Sequence, residues 1–306
     1  MSVSPLHNLT FGLRELRRND AVEIHERVDL RAWTALGVGG LASLVVRCHS
    51  IDAVRDTIDM AAAHGIGWVV LGGGSRLVPP NRGIRVPVLS LTGDLGRWEL
   101  ELDGLLVGAG ANLAQVCRAA TRSRLSGFEI IRDTGHTVGG LVRAAADGVL
   151  RADGVLDHVE LCGPGGVAER WEPRDDWAPP SFRLLRRRVV TRVRFRLRPS
   201  SPSAIVPPVS TAPTRRRLRT VGPVFLDTSD ATAADLLAEA GMSSAVVGGV
   251  RLGGGDGNQL TAGRSATSSD VVDLCRRARD RVAAATGVEL VSALVFVDED
   301  GRELTL

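Results

Sequence analysis

The chain has 306 residues and contains no lysine and no tyrosine. Without lysine, neither a Walker-type phosphate-binding lysine nor a Schiff base with a carbonyl substrate is available. Without tyrosine, no phenol can donate a proton or stack on a base. The six phenylalanines and five tryptophans are not interleaved with the arginines as a nucleic-acid stacking platform requires. These absences exclude lysine-dependent chemistry and argue against single-stranded nucleic acid as a partner.

Closely spaced cysteines or histidines and long apolar runs are also missing. The four cysteines show no CxxC spacing and the six histidines show no HxxxH spacing, so we expect no metal site. No apolar run approaches the roughly 20 residues that span a bilayer, and the first residues lack the apolar core of a signal peptide. The net charge of +3 is too small to indicate nucleic-acid binding. We therefore expect a cytoplasmic protein with no metal, no membrane partner and no nucleic-acid partner.

Strand and helix signals alternate along most of the chain. Ser50 is a typical helix N-cap, and apolar residues at helical spacing follow it as far as His64-Gly65. A second amphipathic helix is predicted at Leu113–Arg122 and a late strand at Leu290–Val297. The predicted divisions are a polar lead-in (1–21), a larger domain with two subdomains (22–83 and 84–198), a proline- and serine-rich linker (199–213) and a smaller α/β domain (214–306).

One strand, ending at Leu71, runs directly into three glycines. Residues without Cβ let backbone N–H groups face into one concavity, which suits a pyrophosphate. The Ser75 hydroxyl and the Arg76 guanidinium can add charge-assisted hydrogen bonds. The alternative is a plain tight turn, since glycines are also common at strand ends. The predicted phosphate-binding residues are Leu71, Gly72, Gly73, Gly74, Ser75, Arg76 and Leu77.

A second glycine segment follows about 60 residues later. Hydroxyl and backbone N–H groups at Thr137, Gly139 and Gly140 can contact a second part of the same dinucleotide. Two glycine loops in this order indicate a nucleotide site more strongly than one loop does. The predicted binding residues of the second segment are Gly135, His136, Thr137, Val138, Gly139 and Gly140.

Several segments match, in order, the motifs of one known family. They are Thr34–Gly40 (Thr-x-x-x-x-Gly-Gly), Leu71–Leu77 (Leu-Gly-x-Gly-Ser-Asn-Leu, with Arg76 replacing the asparagine), Gly135–Gly140 (Pro-Gly-Thr-Val-Gly-Gly), Asn258–Ala262 and Ala266–Val271. On these residues the chain resembles the UDP-N-acetylenolpyruvoylglucosamine reductases (MurB), flavoenzymes of cell-wall synthesis. The resemblance implies an α+β fold, with a two-lobed FAD-binding domain of the vanillyl-alcohol oxidase/MurB type and a smaller C-terminal α/β substrate domain. It also implies FAD as cofactor, a small-molecule substrate and NADPH as a candidate reductant.

Three catalytic groups of that family have no counterpart here. Ala178 stands where the family has an arginine for the enolpyruvyl carboxylate, Pro223 replaces its serine proton donor, and Ala293 replaces its glutamate. Losing one positioned acid or electrostatic donor costs about 10²–10⁴ in rate. An offset alignment can hide one such residue, but hardly three. The chain is therefore predicted to keep the cofactor site without the family's reduction of an enolpyruvyl ether.

His136 is the candidate catalytic residue, because the family has glycine at this position. Its imidazole is a candidate general base that removes a substrate proton as hydride moves to the flavin. The alternatives are a hydrogen bond to a flavin phosphate or carbonyl and covalent attachment to FAD. Arg143 and Asp147 are weaker candidates, for binding a substrate carboxylate and for acid–base chemistry.

The sequence thus predicts an FAD-binding oxidoreductase that acts on a substrate other than the cell-wall precursor, for example in specialised metabolism. Two alternatives stay open. One is a genuine UDP-N-acetylmuramate dehydrogenase whose catalytic residues are misaligned. The other is a catalytically degenerate paralogue that binds FAD or a nucleotide in a structural or regulatory role. The sequence predicts neither the substrate, nor the direction of electron flow, nor the oligomeric state.

Overall fold

The chain forms two compact units. The computed structural model describes residues 6, 9, 10, 12, 13, 20–101, 103–128, 137–148, 155–165, 168–172, 188–199 and 219–306. The first unit takes its residues from 1–25, 44–73 and 87–212, and the second from 26–43, 74–86 and 213–306. The domain boundaries predicted from the sequence remain predictions.

Five α-helices have both ends within the described residues, and each begins at a polar side chain that accepts a hydrogen bond from the first turn, which satisfies a backbone N–H group that has no partner within the helix. The helices are Ile51–Ala63 (α1), Leu113–Arg122 (α2), Val138–Ala146 (α3), Ala233–Glu239 (α4) and Ser268–Thr286 (α5). Their N-caps are Ser50, Asn112, Thr137, Thr232 and Thr267, in the same order. The first two helices confirm the boundaries that the sequence predicts.

The strands are short and mostly antiparallel. They are Val22–Asp29 (β1), Leu41–Cys48 (β2), Val69–Val70 (β3), Leu77–Val78 (β4), Ile84–Leu91 (β5), Trp98–Glu101 (β6), Gly104–Gly108 (β7), Leu125–Ser126 (β8), Leu156–Cys162 (β9), Ala168–Trp171 (β10), Val189–Arg196 (β11), Arg198–Pro199 (β12), Arg219–Val221 (β13), Val246–Val247 (β14), Val250–Leu252 (β15), Leu260–Ala262 (β16), Val295–Val297 (β17) and Glu303–Leu304 (β18). The hydrogen-bonded orders are β1-β2-β5-β3, β10-β9-β11-β7-β6, β12-β8, β13-β16-β15-β14 and β18-β17-β4.

The main sheet of the first unit has five antiparallel strands, with β11 at its centre. Residues of β11 alternate between faces as the period of two requires. Val193 and Phe195 are fully buried against residues of α2 and α3, while Arg194, on the other face, donates to Glu101 at 2.7 Å. The Phe195 ring packs edge-to-face on Phe128, with centroids 4.9 Å apart. This sheet and its two helices form the core that supports the second glycine segment.

A second core in the same unit lies behind the strand that delivers the first glycine loop. Helix α1 buries Val54 and Ile58 in this core, together with Leu44 and Leu89. Strands β3 and β5 are parallel, with Val70 opposite Leu89. Strand β3 is therefore paired to a strand, β5, whose Leu89 belongs to the core that α1 enters.

The second unit combines residues far apart in the chain. Its four-stranded antiparallel sheet (β13-β16-β15-β14) packs with α4 and α5 around a core that includes Phe225, Leu274 and Phe296. Strand β17 pairs in parallel with β4, so that Leu77 lies opposite Val295. This pairing fixes the end of the first glycine loop against the C-terminal part of the chain. No helix among the described residues is long and apolar enough to cross a membrane.

We expect Phe195→Ala to lower the free energy of unfolding by about 3–5 kcal/mol, since it leaves a cavity and removes an aromatic pair. Urea denaturation followed by circular dichroism measures this loss. Leu100→Ala is the matched control, because Leu100 lies on β6 of the same sheet and is 59% exposed. It should change the stability by less than about 0.5 kcal/mol. Equal losses in the two variants would contradict the packing described for Phe195.

Candidate functional site

The first glycine loop contains two exposed glycines followed by a buried one. Leu71 is the first residue after β3, and its N–H donates to the Leu89 carbonyl at 2.8 Å. Gly72 and Gly73 are exposed, whereas Gly74 is buried with a φ of +67°. A Cβ at Gly74 would overlap the carbonyl oxygen of Trp33. The loop thus presents main chain to solvent at its first two glycines and turns sharply at the third.

The segment that follows Trp33 holds this turn in place within the second unit. The Ala35 N–H donates to the Gly74 carbonyl at 2.9 Å. Thr34 is buried, and its hydroxyl donates to the Val38 carbonyl at 2.7 Å and accepts from the Val38 N–H at 3.1 Å. The threonine of the Thr34–Gly40 motif therefore closes a tight loop against which Gly74 packs. The sequence showed the motif but not this contact.

In the second glycine segment, Thr137 caps helix α3 and several N–H groups bind protein acceptors. The Gly140 N–H donates to the Thr137 hydroxyl at 3.3 Å. The Val138 N–H donates to the Ala111 carbonyl at 3.0 Å, and the Gly139 N–H donates to the Ala109 carbonyl at 2.7 Å. The helix start is thus fastened to the turn before α2, which the sequence did not indicate. Gly135 and His136 lie outside the described residues.

The two glycine segments meet within the first unit. A Cβ built on Gly72 would lie 2.5 Å from the Thr137 Oγ1 and 3.7 Å from its Cγ2. Only a residue without a side chain lets the loop approach the capped start of α3 so closely. The structure therefore brings together Gly72 and Thr137, two of the residues that the sequence predicts to bind a dinucleotide.

The chemistry of these groups fits the pyrophosphate of a dinucleotide. Exposed glycine N–H groups at the end of a strand are donors that a phosphate can approach without steric hindrance. The Ser75 hydroxyl and the Arg76 guanidinium follow directly in the chain and are partly buried. In the first unit, the residues that would hold the anion are therefore Gly72 and Gly73, and the contact of Gly72 with Thr137 restricts where the loop lies.

A third group of residues lies in the second unit, where Arg76 reaches the C-terminal segment. The Arg76 Nε donates to the Ala293 carbonyl at 2.7 Å. The Ala293 N–H donates to the Val224 carbonyl at 2.8 Å, so Ala293 lies beside the segment that begins with Pro223. Two positions that the sequence resemblance aligns with the family's glutamate and serine are thus neighbours in the second unit. Ala178 lies outside the described residues.

Asn258 organises this segment, and sequence reasoning assigned it no role. It is 4% exposed. Its Oδ1 accepts from the N–H groups of Val224 (3.1 Å) and Phe225 (3.0 Å), and its Nδ2 donates to the Phe225 carbonyl at 2.8 Å. A buried amide satisfied on both sides rigidifies the backbone it binds. The only sequence signal was the position of Asn258 at the start of the Asn258–Ala262 motif, since its burial and its partners depend on tertiary contacts.

The weaker candidates make contacts of their own. The Arg143 Nε binds both carboxylate oxygens of Asp147, at 2.9 and 3.1 Å, one helical turn along α3. Burial raises the pKa of the thiols of Cys48 and Cys275 to about 12. These two cysteines are therefore protonated at neutral pH and are poor nucleophiles. Among the residues that the structure describes, no group of histidine, cysteine, aspartate and glutamate side chains could hold a metal ion.

Comparison with known proteins agrees with this geometry. The model of the FAD binding domain family matches residues 42–160. The model of the UDP-N-acetylenolpyruvoylglucosamine reductase C-terminal domain matches residues 212–297. With the mixed fold of helices and strands, these matches define an FAD-binding oxidoreductase of the MurB type. The cofactor and the fold class expected from the sequence are confirmed.

Relatives that match over most of their length identify the family. The UDP-N-acetylenolpyruvoylglucosamine reductase of Deinococcus radiodurans is 32% identical over 274 residues, covering 84% of this chain and 91% of that protein. That of Bacillus subtilis is 25% identical over 272 residues, covering 86% and 90%. The crystal structure of the Thermus caldophilus enzyme aligns with a TM-score of 0.68 at 25% identity, covering 90% of this chain and 98% of the other. The chain belongs to the UDP-N-acetylenolpyruvoylglucosamine reductase family.

We expect Gly72→Ala to weaken FAD binding at least about ten-fold, because the new methyl group would meet the Thr137 hydroxyl and displace the loop. Fluorescence titration of the apoprotein with FAD measures this. Gly96→Ala is the matched control, since nothing lies within 4 Å of a Cβ at that position. Adding Thr137→Ala to Gly72→Ala removes the obstructing oxygen and should restore part of the affinity. Unchanged affinity in Gly72→Ala would show that this contact does not shape the site.

Proposed function

We propose that this protein is an FAD-dependent oxidoreductase that acts on a small molecule other than UDP-N-acetylenolpyruvoylglucosamine. The supporting observation is the contact between the Pro223–Phe225 segment and Ala293, which are joined by the 2.8 Å hydrogen bond from the Ala293 N–H to the Val224 carbonyl. The family has a serine at the position of Pro223 and a glutamate at the position of Ala293. The proline ring has no transferable proton, and alanine contributes only a methyl group. The proton transfer that the family performs at these positions therefore has no proton donor in this chain.

The serine beside Ala293 gives no support for an offset alignment. Ser292, one residue before Ala293, is the nearest hydroxyl in sequence. Its Oγ donates to the Leu294 carbonyl and accepts from the Leu294 N–H, both at 3.1 Å. A hydroxyl that both donates and accepts hydrogen bonds within a turn is not available as a proton donor to a substrate. Ser292 therefore does not replace the missing serine.

In the proposed mechanism, residues of the chain bind and position FAD, and one side chain accepts a proton from the substrate. When bound, FAD supplies a two-electron acceptor or donor for hydride. The N–H groups of Gly72 and Gly73 would hold its pyrophosphate, and Thr137 restricts the position of the loop. His136 is proposed as the base that accepts the proton released when a substrate is oxidised. An imidazole has the appropriate basicity near neutral pH.

Two other functions compete with this proposal. The names of the relatives favour reduction of the enolpyruvyl nucleotide, since 84% of the chain matches one such reductase at 32% identity. A degenerate paralogue would bind FAD without turnover. The three functions differ in two measurable properties, namely FAD binding and turnover of the enolpyruvyl nucleotide with NADPH.

The proposal is tested on purified protein with added FAD. We expect the two visible absorption bands of bound oxidised flavin. With NADPH and the enolpyruvyl nucleotide, we expect turnover at least about 10⁴-fold below that of the Bacillus subtilis reductase assayed in parallel. A rate within about ten-fold of that control would assign the cell-wall reaction instead. Bound flavin that neither NADPH nor any candidate substrate reduces would favour the non-catalytic alternative. Absence of FAD uptake would contradict both enzymatic functions and leave only a paralogue that binds another nucleotide.

A further inference from the structure

A cavity of about 360 Å³ lies in the second unit, between the end of α4 and the middle of α5. Arg277 and Arg281 line it from α5, and Gly241 and Ser244 line it from the segment that follows α4. Its volume falls within the range of about 300–1,000 Å³ that small-molecule sites occupy. The cavity is therefore large enough for a small ligand.

Two arginines of the lining lie one helical turn apart. Arg277 and Arg281 leave the same face of α5, and residues at this spacing have Cβ atoms about 5–6 Å apart. Both side chains are exposed. Among the residues that the structure describes, neither guanidinium has a hydrogen-bonding or ion-pairing partner. Like charges at this spacing destabilise a helix, so an anion bound between the two groups would stabilise it.

The carboxylates near these arginines lie outside the cavity lining. Asp273 and Asp280 are four residues before and three residues after Arg277, yet neither lines the cavity. Glu239, the last residue of α4, is exposed and does not line it either. The lining thus carries two positive charges and no negative charge, which favours an anionic ligand.

The end of α4 does not need the arginines as a cap. Arginines near a helix C-terminus often bind its last carbonyl groups. Here the turn after α4 satisfies them, because the Gly241 N–H donates to the Ala238 carbonyl at 3.0 Å and the Met242 N–H donates to the Leu237 carbonyl at 2.7 Å. Gly241 has the positive φ, +69°, that this turn requires. The two guanidinium groups are therefore available to a ligand.

Two guanidinium groups on one face suit a phosphate better than a carboxylate. A single guanidinium already binds both oxygens of a carboxylate in a bidentate pair, whereas a phosphate group has at least three oxygens and a larger charge. Ser244 adds an exposed hydroxyl to the lining. Val246, which is 46% exposed, adds an apolar surface beside it. The lining thus fits a phosphate carried by a molecule that also has an apolar part.

We infer that Arg277 and Arg281 form a binding site for the phosphate group of a small molecule. Both guanidinium groups bind the phosphate, the Ser244 hydroxyl donates to it, and Val246 contacts the group that carries it. The site does not depend on the proposed function, because none of its lining residues belongs to the candidate cofactor site.

Calorimetric titration of the full chain with inorganic pyrophosphate tests this site, with FAD added so that the cofactor's own phosphate site is filled. Arg277→Gln and Arg281→Gln should each weaken pyrophosphate binding at least about ten-fold, because each removes charged hydrogen bonds. Arg276→Gln is the matched control, since it removes the same charge from an exposed position of α5 that does not line the cavity. It should change the affinity by less than about two-fold. Malonate, which carries two carboxylates, should bind the wild type at least about ten-fold more weakly than pyrophosphate does.

Three results would overturn the inference. The first is a wild-type protein that binds no pyrophosphate. The second is equal weakening by Arg276→Gln and Arg277→Gln, both with the circular dichroism spectrum of the wild type, because only the net charge would then act. The third is malonate binding as tight as that of pyrophosphate, which would exclude a phosphate site. A wild-type protein that takes up no FAD would contradict the proposed function, while the comparison of these two variants would still decide the role of Arg277.

Discussion

The absence of a side chain at Gly72 is the constraint on which the candidate cofactor site depends. It lets the loop at the end of β3 approach the Thr137 hydroxyl, which caps α3. The cap in turn fixes the first residues of a helix whose N–H groups bind the turn at Ala109–Ala111. One missing Cβ thus couples two glycine segments that are far apart in sequence. The match to the FAD binding domain family covers both the loop and the helix start.

In the second unit, the backbone and the side chains have to be considered separately. Its backbone contacts are those of an ordered site, because Asn258 holds Val224 and Phe225, and the Ala293 N–H bonds to the Val224 carbonyl. The side chains at positions 223 and 293, which we propose to correspond to the family's serine and glutamate, are apolar. Hydrogen bonds between main-chain atoms do not depend on the side chain at position 293. The backbone of a family can therefore be kept while its functional side chains change. A family member with altered chemistry is compatible with a family fold.

Local signals predicted α1 and α2 well, because caps and apolar spacing act within a few residues, whereas α3 was not predicted. Helix α1 follows its predicted cap at Ser50, and α2 has the predicted bounds Leu113–Arg122. The strand predicted at Leu290–Val297 is formed only at Val295–Val297. The reason is the side-chain turn at Ser292, which bonds to Leu294 and interrupts the extended backbone. Apolar composition alone does not reveal such a turn.

Contacts between distant segments could not be predicted from local pattern. Arg76 and Ala293 are separated by 217 positions, and nothing in either segment indicates that β4 pairs with β17. The sequence therefore associated Arg76 with the pyrophosphate through its neighbours in the chain. The structure shows its Nε on a carbonyl of the C-terminal segment. The glycine motifs were recognisable because only glycine lets the main chain approach a neighbouring segment so closely. The direction of a long arginine side chain is set by tertiary contacts, which the local sequence does not reveal.

The central claim is that the family's cofactor site is kept while its enolpyruvyl chemistry is lost. The most direct measurement is a single turnover that bypasses the reductant. The FAD-loaded protein is photoreduced without oxygen, mixed with the enolpyruvyl nucleotide, and followed by flavin absorbance. The account predicts that the flavin stays reduced over the time in which the Bacillus subtilis reductase is fully reoxidised. Reoxidation at a rate comparable to that of the Bacillus subtilis reductase would contradict it.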